Sequence, residues 1–270
     1  MKLLTLVIIG LLGLTSSVSH QDLAQEASVL ARPVVIGASV SAGFSAGRDF
    51  SQVLDVMIDR EHQPIEKAFS ALFWMDSVKT GESQVAFALG KKPTLLIAID
   101  FLFWFGYGSM NLEGEPITSE EERLELLEYG LGLLEPFSCS VVLGDFPDCE
   151  ESVGIILKAG QVPGPKTLSE LNKKLRSWAK GRDNIVVLPL SDKFESIRNN
   201  EKLEIGAHVC EEGTTEELLL PDRIHLTLEG LVWLSYLLVS EVAKEGWIED
   251  SDVNADLEAV FQELKKDRLR

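Results

Sequence analysis

A serine hydroxyl attacks a carbonyl carbon only when a neighbouring base takes its proton, and that base works best when a third group holds its ring. The chain offers residues of all three types. Ser39 follows a short apolar run, Pro33 to Ile36, on a Gly37-Ala38 step, where small residues let the backbone bend sharply and present a hydroxyl. Near the other end, Asp222-Arg223-Ile224-His225 sets a carboxylate three residues before an imidazole. In a helical turn or a tight loop that spacing puts both groups on one side, so the carboxylate can orient the ring. Each piece alone also has an ordinary structural reading, Ser39 as a turn residue and the Asp-His pair as a cap or surface contact. Their joint placement points to nucleophilic catalysis, with Ser39 as nucleophile, His225 as base and Asp222 as its orienter.

Those residues need a frame, and hydrophobic periodicity supplies one. Near-continuous apolar runs at Pro33–Ile36, Thr94–Ile99, Ser140–Leu143 and Ile185–Leu188 predict strands covered on both faces. Between Thr118 and Glu135 the period changes. A Thr118-x-x-Glu121 capping box opens a segment in which Leu124, Leu127, Leu131 and Leu134 recur at helical spacing. Leu168 to Ala179 alternates apolar and basic residues at helical spacing. From Leu228 to about Ala243 the positions Leu231, Leu234, Leu238 and Val242 mark a late amphipathic helix, and the charged tail after Gly246 predicts one more. Alternating strands and helices predict a three-layer α/β/α domain with a mostly parallel central sheet. Ligands of such sheets bind beyond the carboxyl ends of the strands, which is where Ser39 falls.

On these residues the chain resembles the SGNH (GDSL-like) hydrolases. The family's nucleophile block after the first strand appears as Val34-Val35-Ile36-Gly37-Ala38-Ser39. Its final block appears as Pro221-Asp222-Arg223-Ile224-His225-Leu226-Thr227, followed by Gly230. Val141 to Pro147 fits the intervening order, so the resemblance covers most of the chain after its first residues. It implies an SGNH/flavodoxin-like three-layer fold and metal-free ester hydrolysis through an acyl-enzyme intermediate, with a Ser39-His225-Asp222 triad. Acylated carbohydrates or lipids are the substrates it suggests. Two positions depart from the family pattern. Ala38 stands where the family has Asp, and the stretch Asp100 to Gly108 contains no Asn where a Gly-x-Asn-Asp block would supply an oxyanion donor. Losing such a donor costs a factor of about 10² to 10³ in turnover unless another replaces it. Gly81 resembles the family's second-block glycine and is the first candidate for that role; Asn111 is a more distant one. The missing Asn also motivates an alternative, a binding protein of this fold with weak or no catalysis, and Asp100 or Asp145 acting with His225 is a third reading.

The aromatic segment Phe101, Phe103, Trp104, Phe105 and Tyr107 either lines an apolar or sugar-stacking pocket or fills the layer between sheet and helices, with at least two rings expected in the core. Asp100 reads as a turn cap that could also contact the site. The remaining histidines, His20, His62 and His208, stand in no metal-ligand spacing, and no phosphate-binding loop is present, so neither metal nor cofactor is expected. With 43 acidic against 25 basic side chains and a net charge of −18, nucleic acid is a poor partner. A lysine, an apolar stretch from Leu3 to Leu14 and small residues to Ser19 read as a secretory leader over residues 1–19 with cleavage near His20. That leaves 20–270 as a single domain, secreted or periplasmic, with no later membrane span. The composition leaves its oligomeric state open. In an oxidising compartment either Cys149 pairs with Cys210, since Cys139 and Cys149 flank a strand too long for one bridge, or all three thiols stay free.

Overall fold

The computed structural model describes residues 28–266; the expected leader lies outside them. Five strands form one sheet: β1 (Pro33–Gly37), β2 (Glu66–Phe69), β3 (Leu95–Ala98), β4 (Ser140–Gly144) and β5 (Ile185–Leu188). They run in the order β2-β1-β3-β4-β5, and every neighbouring pair is parallel. A small antiparallel pair, β6 (Leu203–Ile205) with β7 (His208–Cys210), stands apart from it.

Strand side chains alternate between two buried cores. Val35, Leu95, Ile97, Val142 and Val186 face one core. Helices α1 (Phe50–Met57), α6 (Leu190–Arg198), α7 (Leu228–Lys244) and α8 (Leu257–Lys266) close over that side. Val34, Ile36, Leu96, Ala98, Val141 and Leu143 face the other, covered by α2 (Ser77–Lys91), the short α3 (Phe103–Gly106), α4 (Glu120–Gly132) and α5 (Pro165–Ala179). The period-two side-chain alternation of a strand, buried on both faces, makes the three layers. This is the expected architecture.

The helix expected from Thr118 begins one residue later than its proposed cap. Ser119 caps α4 by accepting from Glu122 N, while the Glu122 carboxylate takes back the N–H groups of Ser119 and Thr118. Strand β2 carries no apolar run because it is an edge strand exposed at Glu66 and Lys67, whereas the other edge strand, β5, keeps Val186 and Leu188 buried. The three cysteines are free thiols, so no Cys149–Cys210 bridge forms. Cys149 is buried with its Sγ toward Pro147 O, whereas Cys210 is on the outlying β7 with its Sγ toward Thr214 Oγ1.

Candidate active site

Strand β1 is interior to the sheet, and the chain beyond its carboxyl end coils into a run of tight turns through Ala46. A carboxylate from the next strand organises the first of them. Asp100, two residues past β3, accepts at Oδ1 from Ala38 N (3.0 Å) and Ser41 Oγ (2.5 Å), and at Oδ2 from Val40 N (2.8 Å) and Ser41 N (3.1 Å). Residues on both sides of Ser39 are thereby tied to one group. Gly37 makes this approach possible: a Cβ there would stand 2.1 Å from Asp100 Oδ1. Gln84 of α2 fixes Gly37 itself, accepting from its N–H and donating to its carbonyl, both at 2.9 Å. Burial pushes the Asp100 carboxyl above the usual carboxylate range, against the four hydrogen bonds that favour its ionised form. Asp100 is therefore a turn cap, and the turn it caps is that of Ser39.

The Asp222–His225 segment is a tight loop rather than a helical turn. Leu220 N donates to His225 O at 2.7 Å, and Arg223 takes a left-handed conformation with φ 64°. The loop is held down by Arg223, whose guanidinium donates to Glu151 and to Arg198 O. Within it Asp222 Oδ1 accepts from Ile224 N (3.1 Å) and His225 N (2.9 Å), and Oδ2 lies 2.8 Å from His225 Nδ1. Burial works to raise the Asp222 carboxyl, but the hydrogen bonds from the His225 backbone and ring and from Ile224 outweigh it and hold the group below the usual range. With the Nδ1 proton directed at Asp222, Nε2 is left to accept, and it stands 2.7 Å from Ser39 Oγ. Thr227 ends the loop by capping α7, accepting from Gly230 N. Phe44 covers the imidazole at 4.3 Å between ring centroids. The structure thus brings Ser39 and the distant Asp222–His225 pair into one hydrogen-bonded line.

Two spaces adjoin Ser39. One is an open cleft of about 390 Å³ whose walls include Ser39, His225, Phe44, Ala71, Trp74, Phe103 and Trp104. The other is a small chamber of about 40 Å³ reached past Ser39, Phe103 and Ile224. Of the aromatic segment, Phe101, Phe105 and Tyr107 are core, as expected for at least two rings, while Phe103 and Trp104 reach the cleft. The Trp104 indole Nε1 is buried without a hydrogen-bond partner among the described residues.

Neither expected oxyanion donor is at the site. Gly81 lies inside α2, where a Cβ would come within 2.7 Å of the Phe105 ring and 3.2 Å of Leu133; it is a glycine for close packing. Asn111 folds its own loop, accepting from Glu113 N and Glu115 N and donating to Glu122. Asp145 lines the chamber but is engaged by Ser191 and Arg176, and burial raises its carboxyl. The sequence reading missed Ala71, which follows the unforeseen β2 and lines the same cleft as Ser39. No hydrogen bond engages the N–H of Ser39 or of Ala71 among the described residues. Among those residues no group of three or more His, Cys, Asp or Glu is placed to hold a metal ion, and no helix is long and apolar enough to cross a membrane.

No family model matches the chain, and no curated protein matches it. Solved structures do. LAE5, an α/β hydrolase enzyme from the metagenome of Lake Arreo, Spain, aligns over 83% of this chain and 98% of its own at 14% identity, with a TM-score of 0.51. A gut microbial diltiazem-metabolizing enzyme aligns over 79% of this chain at 14% identity and a TM-score of 0.50. The chain spans 47% of that enzyme's length. A GDSL-like lipase from Bacteroides thetaiotaomicron is 12% identical, with a TM-score of 0.48 over 79% of this chain and 88% of its own. The three-layer α/β fold is one that hydrolases also adopt.

Proposed function

We propose that the chain is a serine esterase of the SGNH (GDSL-like) type, a divergent member that lacks the Gly-x-Asn-Asp block. The observation that carries the reading is the line Ser39 Oγ to His225 Nε2 at 2.7 Å and His225 Nδ1 to Asp222 Oδ2 at 2.8 Å. In this reading Ser39 Oγ attacks an ester carbonyl as its proton passes to His225 Nε2, and Asp222 stabilises the resulting imidazolium. The N–H groups of Ser39 and Ala71 serve the developing oxyanion in place of a side-chain amide. His225 then gives the proton to the departing alkoxide. Water, deprotonated by the same nitrogen, releases the acid from acyl-Ser39. The substrate is a small-molecule, carbohydrate or lipid ester, and the cleft's aromatic wall suits the apolar face of either kind of alcohol. We further propose that residues 1–19 export the chain, so that the single domain from His20 onward works in the periplasm or outside the cell.

Turnover of p-nitrophenyl acetate by the purified protein tests the reading. Ser39→Ala should lower kcat by about 10⁴ or more while the circular dichroism spectrum and melting curve stay those of the wild type. Equal turnover in both proteins would remove Ser39 from the mechanism. One observation favours a second reading, that of a binding protein: the stretch from Asp100 to Gly108 holds no side-chain amide to bind an oxyanion. A folded wild-type protein that turns over no ester yet retains a glycan or lipid would support it.

A further inference from the structure

Ser39 stands where two spaces of very unequal size meet. The cleft of about 390 Å³ has both Ser39 and His225 on its wall, whereas the chamber of about 40 Å³ is bordered by Ser39 but not by His225. Their asymmetry decides which half of an ester goes where. The leaving alkoxide must take its proton from His225, so the alcohol lies on the side His225 faces, in the large cleft. The acyl group hangs from the opposite bond of the same carbonyl carbon, and the remaining space next to Ser39 is the chamber.

That chamber is small, and part of its wall is packed core. Its wall includes Phe146, Leu190, Phe194 and Leu234, each no more than 6% exposed and each part of a packed core. A water-sized group needs roughly 10 to 15 Å³ on this measure, so 40 Å³ holds about three such groups. The methyl of an acetyl or the three-carbon tail of a butyryl group fits; a seven-carbon tail fits only if packed core side chains move, which is costly. The cleft has the wider accessible space, and its wall carries exposed apolar side chains. Leu72 is 60% exposed, and Phe44, Trp74 and Ile156 are each 40% exposed, an open wall that favours an apolar binding face.

We infer that the site takes esters of two- to four-carbon acids on a bulky, largely apolar alcohol, the chamber setting the limit on acyl length. The inference rests on the reading of Ser39 and His225 given above. Its test is kcat/KM for p-nitrophenyl esters from acetyl to decanoyl, together with the rates at which p-nitrophenyl methylphosphonates and octylphosphonates capture Ser39. Acetyl to butyryl esters should react within a few-fold of one another and octanoyl about tenfold or more slowly, and the methylphosphonate should capture faster than the octyl one. Phe194→Leu and Leu234→Ala should each move the preference toward longer chains. Faster reaction of octanoyl or decanoyl than acetyl in the wild-type protein, with Ser39 captured normally, would overturn the chamber assignment and leave the nucleophile standing. Failure of both probes to modify Ser39 in folded protein would instead remove the underlying reading, and the inference with it. Should either variant fail to fold, the wild-type profile alone decides.

Discussion

Asp100 and Asp222 flank the same serine, yet their surroundings push them in opposite directions. Asp100 is enclosed, and burial raises its carboxyl despite four donors; Asp222 is held low because its hydrogen bonds outweigh its burial. Asp222 therefore stabilises the fold fully above its unfolded value of 3.8, and that contribution is lost as pH falls through the lower folded value. Asp222→Asn should flatten the acid limb of stability below about pH 4, measured as urea midpoints against pH; an unchanged limb would contradict the assigned shift. Asp100 takes no part in the relay but fixes the turn around Ser39. Asp100→Ala leaves the N–H groups of Ala38, Val40 and Ser41 without their acceptor, and a displaced nucleophile costs about 10² in rate. We expect kcat to fall by about that factor with KM little changed, while Asp100→Glu restores part of kcat. A fall in melting temperature with kcat intact would assign Asp100 to the fold alone. That Ser39, Asp222 and His225 would come together was legible in the sequence because the proposed chemistry needs those residue types as a set. The organising role of Asp100 was only half legible, since a carboxylate after a strand says nothing about which turn it will cap.

At the scale of elements, four of the five strands were readable and the exposed edge strand β2 was not. β1, β3, β4 and β5 are buried on both faces or nearly so and leave continuous apolar runs; β2 is an exposed edge strand reading Glu-Lys-Ala-Phe, and it leaves none. Missing β2 also meant missing Ala71, a residue after it that lines the cleft and that the proposed reading gives to the oxyanion. The packing of α2 on α3 explains Gly81. Alanine in a helix interior ordinarily gains about 1 kcal/mol over glycine, but here its Cβ would meet the Phe105 ring at 2.7 Å, a ring wedged among Phe73 and Phe101. Gly81→Ala should therefore destabilise the protein by about 1 to 3 kcal/mol in thermal unfolding and leave any kcat/KM of the folded protein toward p-nitrophenyl acetate unchanged. A stable variant with kcat reduced about a hundredfold would return Gly81 to the oxyanion site.

Taken whole, the molecule is a parallel sheet that gathers its chemistry at one edge. Ser39 lies beyond β1 and Asp100 beyond β3, and the loop before α7 brings Asp222 and His225 over them. The net charge of −18 disfavours anionic partners at long range. Topology of this kind was legible from alternating strands and helices. The shapes of the cleft and the chamber were not, because they depend on how loops and helices from many separate parts of the chain pack against one another. The central claim is that this edge activates one hydroxyl. Labelling of the folded protein with a fluorophosphonate, with the adduct mapped by mass spectrometry, tests it most directly. The account predicts stoichiometric modification at Ser39, lost in Ser39→Ala and slowed by at least about 10³ in His225→Ala. Folded wild-type protein that does not react, or that reacts equally well without His225, would contradict it.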